Sequence, residues 1–298
     1  MDFIQSIILG IVQGLSEFLP ISSSGHLVIL PWIFNWENQG LAFDVALHWG
    51  TLLAVFVYFR KEWMAMFKSA LFQEKSKEKN QDLSIFEQEK KFQIPNSKFQ
   101  INSNFQNPNY YPQFNRQLFF FIILASIPGA FFGWFLKSQA ENIFRSPLLI
   151  VFTLIGLAVF LWWFDKKGKK EKFLKNLNWR ASLFIGFSQA LAIIPGVSRS
   201  GVTITAALAL GFERKTAAKF SFLLAAPIIF GAGLVKIPSL TNGNINFSIL
   251  LIGILSSAIA GFLAIKYLLR YLETRSYNIF VYYRIILALA ILGIILMR

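Results

Sequence analysis

Six apolar runs, each about as long as a bilayer is thick, decide what this chain can fold into. Residues 41–59, 118–136, 148–164, 220–235, 247–269 and 279–297 each supply roughly the 17 to 25 residues that a helix needs to cross hydrocarbon. Hydrocarbon offers the backbone no hydrogen-bonding partner, so such runs become helices that satisfy their own N–H and C=O groups. Composition agrees: 55% of the 298 residues are hydrophobic and 15% charged, a balance foreign to a water-soluble domain of this length. The formal charge of +14 is spread between the runs rather than gathered on one face, which argues against a nucleic-acid surface. The absence of cysteine excludes thiolate and disulfide chemistry. Met1 and Asp2 offer no basic leader and no small-residue cleavage site follows, so a cleaved signal peptide is not expected.

Two further segments, 3–34 and 181–211, are apolar but broken by Pro, Gly and Ser. They are copies of one another. Gly10, Gln13, Leu15, Ser22, Ser24 and Gly25 recur 176 positions later as Gly186, Gln189, Leu191, Ser198, Ser200 and Gly201, with Pro20 displaced by one register to Pro195. Non-helical backbone inside a membrane survives only when buried in protein or facing a wet cavity, so both segments read as re-entrant helical hairpins. Arg60 and Lys61, the lysine-rich stretch 165–172, and Arg270 with Arg275 follow apolar runs and mark the cytoplasmic side. Three full spans then separate the hairpins, and an odd number of crossings turns the second copy upside down. The expected fold is an all-α integral membrane protein with an inverted-topology repeat. Each half, 1–175 and 176–298, has one re-entrant hairpin and three transmembrane helices. Residues 71–117, rich in Asn, Gln, Lys and Glu with isolated Phe, read as a cytoplasmic insertion carrying no chemistry.

The polar residues of the hairpins are the candidates for function. Glu17 is an acid within an apolar helical run, an arrangement that demands a partner, a metal or a wet cavity. Gln13, one turn earlier, shares its face; a neutral packing glutamine is the bland reading. Ser22, Ser23 and Ser24 precede His26 at spacings that suit a cap or a nucleophile with its base. His48, beside Trp49 and Gly50 within a span, reads as a structural hydrogen bond. In the second copy, Arg199 stands at the helix break between Ser198 and Ser200, with Thr203 one turn on. A planar fork, hydroxyls and free N–H groups at a helix start form an anion receptor. Joining the halves sets an acid, a histidine and a serine opposite an anion site. That combination suits phosphoryl transfer on a substrate whose tail stays in lipid. It also suits an inverted-repeat transporter or flippase for an organic or lipid-linked anion, but the serine and histidine favour chemistry.

QGLSEFLPISSSGH at 13–26 and PGVSRSGVT at 195–203 resemble the two signature regions of the undecaprenyl-diphosphate phosphatase family, also called the bacitracin-resistance protein family. The likeness extends through FDVALHWGTLLAVFVYFR and ERKTAAKFSFLLAAPIIFGAG, covering nearly all of the chain outside 71–117. The resemblance implies an enzyme of the bacterial plasma membrane that hydrolyses undecaprenyl diphosphate to the monophosphate carrier and inorganic phosphate. It maps the catalytic serine to Ser23, its neighbouring hydroxyl to Ser24, the histidine to His26 and the phosphate-binding arginine to Arg199, flanked by Ser198, Ser200 and Thr203. The family's first motif begins with Glu or Gln; here Gln13 fills that place, so Glu17 alone supplies the carboxylate. Magnesium or calcium is implied as the cofactor, with Glu17 as its ligand beside Gln13, and the site is implied to open outside the cell. Ser23, His26 and a metal-bound water stay open as the attacking group. The implied partners are the polyprenyl diphosphate and membrane lipids; a homodimer is left open, and no nucleic acid is expected.

The insertion is expected on the side opposite the site. Deletion of 71–117 should therefore leave turnover by the purified protein within about tenfold of wild type, the usual scale for losing a helpful but non-essential element.

Overall fold

A computed structural model describes residues 2–36, 40–71, 114–136, 146–241 and 246–297. The middle of the 71–117 insertion lies outside the described residues. The described chain is helical: α1 Phe3–Phe18, α2 Ser23–Phe34, α3 Gly40–Tyr58, α4 Arg60–Leu71, α5 Arg116–Phe135, α6 Pro147–Lys167, α7 Trp179–Ala190, α8 Arg199–Ala209, α9 Arg214–Thr241, α10 Phe247–Tyr271 and α11 Asn278–Met297. Five of these, α5, α6, α9 to Val235, α10 and α11, are long and apolar enough to cross a membrane. The sixth expected span is α3, which meets that test only together with α4 after the break at Phe59. The molecule is thus a multi-pass helical membrane bundle. Residues 61–119 cluster as a unit of their own, in which the rings of Phe67 and Phe119 lie 5.3 Å apart.

The helix ends follow local chemistry. Asp2 and Gln5 form a capping box at the start of α1, Asn178 caps α7 through the Ala181 N–H, and Asn246 caps α10 through the Ser248 N–H. Both interrupted segments become two short helices. α1 and α2 are joined through Leu19–Ser22, and α7 and α8 through a single 3-10 turn, Leu191–Ile193, and the residues after it.

Close packing is concentrated where glycine removes the side chain. α10 runs between α1 and α3. A Cβ on Gly14 would meet Ser257 O at 2.5 Å and Ala260 Cβ at 2.7 Å; one on Gly50 would strike Ile254 O. Ser6 Oγ donates to Ile249 O at 2.6 Å and Ser257 Oγ to Leu47 O at 2.8 Å, closing the same contact. Small residues with hydroxyl bonds are the means by which helices associate when lipid is as apolar as leucine. Gly10 abuts Gly253 on α10, and Gly186, 176 positions later, abuts Ala125 on α5.

The polarity is that of a membrane protein. Trp134, Phe152, Phe160, Ile259 and Ile286 are exposed, while Gln13, Glu17, Ser22, Thr203, Ser221 and Arg284 are buried. Gly14→Val should force α1 from α10 at a cost of about 1–3 kcal/mol, as overpacking does. Thermal unfolding in detergent should register this as a lower midpoint, and an unchanged midpoint would contradict the close approach.

Candidate active site

Two serines set the backbone of the site. Ser22 (φ 76°) and Ser198 (φ 71°) hold equivalent repeat positions and both adopt positive φ without being glycine, a conformation that costs of order 1–3 kcal/mol. Each is held in place by its own cap. Ser22 Oγ accepts from Gly25 N at 3.2 Å and Ser198 Oγ from Gly201 N at 3.0 Å. The turn aims the next two amides, Ser23 and Ser24 on α2 and Arg199 and Ser200 on α8, along the helix starts. None of these four donates to an acceptor among the described residues. Free N–H groups and the helix dipole favour an anion there.

Glu17, at the end of α1, is the centre of the side-chain arrangement. Its Oε2 accepts from Ser23 Oγ at 2.6 Å and from Gln13 Nε2 at 3.0 Å. Its Oε1 accepts from Arg199 Nη2 at 2.9 Å, joining residues 182 apart in sequence. Arg199 is itself fixed by Nη1, which donates to Ser221 O at 2.6 Å. Acid, hydroxyl and guanidinium from both halves thus converge, as the sequence led us to expect. Ser24 lies beside them, partly exposed, with its Oγ 3.4 Å from Ser22 Oγ.

Other candidates are placed differently. His26, in the first turn of α2, is engaged elsewhere: Nδ1 donates to Ser22 O at 2.6 Å, and Nε2 meets Tyr283 Oη at 2.7 Å. His48 bonds Asp44 O through Nδ1 at 2.7 Å, the structural bond expected of it, but its Nε2 also lies 3.3 Å from Glu17 Oε2. The histidine beside the acid is therefore the one within a span. Ser198, Ser200 and Thr203 are buried, and their hydroxyls are engaged inside the protein. Ser200 Oγ donates to Leu19 O at 3.1 Å, and Thr203 Oγ1 shares a 2.7 Å bond with Ser221 Oγ.

Arg284, on α11, secures both breaks. It is fully buried, and no carboxylate pairs with it among the described residues. Its guanidinium donates to Pro20 O at 3.2 Å in the first hairpin, Gly196 O at 2.8 Å in the second, and Leu154 O at 3.0 Å and Thr153 O at 3.2 Å on α6. Sequence reading passed over it, although a lone arginine in an apolar run is the signal that drew attention to Glu17. Ser221 and Tyr283 carried no such signal.

Of the two residues implied as cation ligands, Glu17 has both oxygens accepting from side chains, with a guanidinium 2.9 Å from Oε1, and Gln13 presents a buried Oε1 with no partner among the described residues.

The family model described as "Bacitracin resistance protein BacA" matches residues 6–290. Three similar proteins each bear the name undecaprenyl-diphosphatase. That of Pelotomaculum thermopropionicum is 44% identical over 292 residues, covering 98% of this chain and 96% of its own. That of Moorella thermoacetica is 45% identical over 298 residues, and that of Desulforudis audaxviator 41% over 298 residues, with both chains fully covered in each case.

Arg284→Met should leave several dry carbonyls, each costing about 1–3 kcal/mol. The thermal midpoint in detergent should fall sharply, with Arg284→Lys recovering only part because an ammonium cannot fork between two hairpins. A wild-type midpoint for Arg284→Met would show that the breaks are secured elsewhere.

Proposed function

The chain belongs to the bacitracin resistance protein BacA family, and from that premise we propose that it hydrolyses undecaprenyl diphosphate to undecaprenyl phosphate and inorganic phosphate. The observation that carries the reading is the 2.6 Å bond from Ser23 Oγ to a Glu17 carboxylate whose other oxygen sits on Arg199. A hydroxyl, its base and a phosphate-binding fork are the parts phosphoryl transfer requires.

In the proposed course, the terminal phosphate docks on the free amides at the starts of α2 and α8, with Arg199 and Ser24 as side-chain donors. Ser198, Ser200 and Thr203 shape this receptor through the bonds that hold its backbone. Ser23 Oγ attacks the terminal phosphorus while its proton passes to Glu17; the bridging P–O bond breaks and its electron pair leaves with undecaprenyl phosphate. The proton then follows the departing monophosphate. Glu17 next deprotonates a water that attacks the phosphoserine; the P–Oγ bond breaks, Glu17 returns that proton to Ser23 Oγ, and inorganic phosphate is released. Arg199 acts throughout as the electrostatic clamp, strongest as charge gathers on the transferring oxygens. His26, braced by Tyr283, holds the Ser22 carbonyl at the start of the helix that carries Ser23. Magnesium or calcium, when bound, would be held by Glu17 with Gln13 Oε1 and would supply positive charge to the diphosphate.

The same reading gives the molecule its setting. The repeat offset, the reciprocal contacts of Gly10 and Gly186, and the distribution of Lys and Arg support two inverted halves, 1–175 and 176–298. Each has a re-entrant hairpin and three spans, in a bacterial plasma membrane with the site open to the outside. The exposed apolar faces beside the hairpins suit a polyprenyl tail that never leaves lipid.

Phosphate release from a polyprenyl diphosphate by the purified protein, with magnesium, calcium or a chelator, tests this. Ser23→Ala and Glu17→Gln should each lose about a hundredfold or more. Arg199→Lys, which keeps the charge but not the fork, should stay impaired by about tenfold or more. Near-normal release by Ser23→Ala would remove the serine from the mechanism. Absence of release from wild type under every condition would favour the transporter instead.

A further inference from the structure

The second hairpin has an open end, where α7 begins and α8 stops, and a groove of about 330 Å³ lies there. One stretch of its lining is pinned by the backbone: the Glu171 and Lys172 N–H groups both donate to Gly211 O at 3.0 Å, and Glu213 N–H donates back to Lys172 O at 2.9 Å. The lining divides by chemistry. Lys172, Asn176, Asn178 and Arg180 supply two cations and two amides, while Phe184, Leu210 and Phe212 are apolar. Both asparagine oxygens are engaged by the backbone, Asn176 Oδ1 accepting from Phe173 N–H and Asn178 Oδ1 from Ala181 N–H at 2.9 Å each, which leaves the NH2 groups as donors. Lys172 Nζ and the Arg180 guanidinium lie 6.0 and 5.3 Å from the rings of Phe212 and Trp179. Neither pairs with a carboxylate among the described residues. The groove thus presents positive charge and hydrogen-bond donors with no acid in its lining, the chemistry that receives a phosphate.

The surroundings of the groove decide what carries that phosphate. Trp162, Trp163 and Trp179 are exposed, and Lys166 Nζ lies 5.1 Å from the Trp162 ring; exposed Trp among Lys belongs at the headgroup level of a bilayer. Beyond Arg180, residues Phe184, Phe187 and Leu191 follow at four, seven and eleven positions, which is one face of a helix. All three are more than half exposed. A basic groove that continues into an exposed apolar stripe matches a phosphate with a hydrocarbon chain attached, not a free anion. We propose that this groove binds an anionic phospholipid, its phosphate on Lys172, Arg180 and the asparagine amides and one acyl chain along Phe184, Phe187 and Leu191. The lysine-rich stretch 165–172 sets this end on the cytoplasmic side, where anionic lipids give the leaflet its negative potential and attract each nearby Lys or Arg. A lipid held there joins the start of α7 to the end of α8, and so clasps from its open end the hairpin that brings Arg199 to Glu17.

Thermal unfolding of the purified full-length chain in an uncharged detergent provides the test, and it does not depend on turnover. Phosphatidylglycerol at about tenfold over its Kd should raise the midpoint by about 3–6 °C. Phosphatidylcholine with the same acyl chains should raise it much less, and inorganic phosphate should not reproduce the rise. Native mass spectrometry should retain phosphatidylglycerol on the chain in preference to phosphatidylcholine. Lys172→Gln with Arg180→Gln, both exposed, should keep the lipid-free midpoint and lose most of the rise. Lys266→Gln with Arg270→Gln, exposed cations on α10 outside the groove, should respond as wild type does. Phe187→Gln, which leaves the cations in place and interrupts the apolar stripe, should also diminish the rise. The proposal is overturned by no rise with phosphatidylglycerol, by equal rises with the two lipids, or by a wild-type response in the groove variant or in Phe187→Gln. A matching rise with inorganic phosphate would also overturn it, leaving a small-anion site without a lipid, as would equal losses in the groove and α10 variants, which would leave only diffuse charge attraction.

Discussion

A helix broken inside a membrane protein leaves carbonyl groups that water cannot reach, and the structure depends on how those groups are satisfied. Arg284 gathers them. One guanidinium receives Pro20 O from the first hairpin, Gly196 O from the second, and Thr153 O and Leu154 O from the helix beside them. An arginine suits this because its donors diverge in a plane and because it needs no acid to accept hydrogen bonds in return. Thr153 adds its own bond to Pro195 O at 2.8 Å, so the second break is held from two sides. The two breaks so held are those in which Ser22 and Ser198 stand at positive φ.

The second constraint is electrostatic. A buried carboxylate is tolerated only when its charge is answered locally, and Glu17 is answered by residues from three helices as well as by its own. The side chains that answer it are also those the proposed reaction uses. Ser23 lowers the carboxylate's cost by donating to it, and in doing so aims its proton at a carboxylate oxygen. Arg199 neutralises the acid while remaining 11% exposed along its side chain, so the same fork can turn to a phosphate. Stability and reactivity are thus drawn from one set of contacts.

Much of this was legible in the sequence because membranes make polar residues conspicuous. Glu17, Ser23 and Arg199 stand out against apolar neighbours, and the repeat placed them in two segments that had to meet. Hydroxyl direction was not legible: Ser198, Ser200 and Thr203 flank the arginine in sequence, yet their helix turns them inward to Leu19 O and Ser221. Nor was the choice between histidines. His26 sits in the motif, four residues from Ser22, and that spacing serves a backbone bond; His48 lies 31 positions from Glu17, where no local pattern predicts a meeting. Arg284 could have been found by the rule applied to Glu17. The spans were legible from run length alone, except that α3 ends at Tyr58 and a separate helix begins at Arg60.

Ser23 and Arg199 occupy the same position in the two copies, the first residue of the helix that follows the strained serine. The first copy presents a hydroxyl there and the second a guanidinium, so one position, occurring twice in the chain, brings two different chemical groups to the same carboxylate.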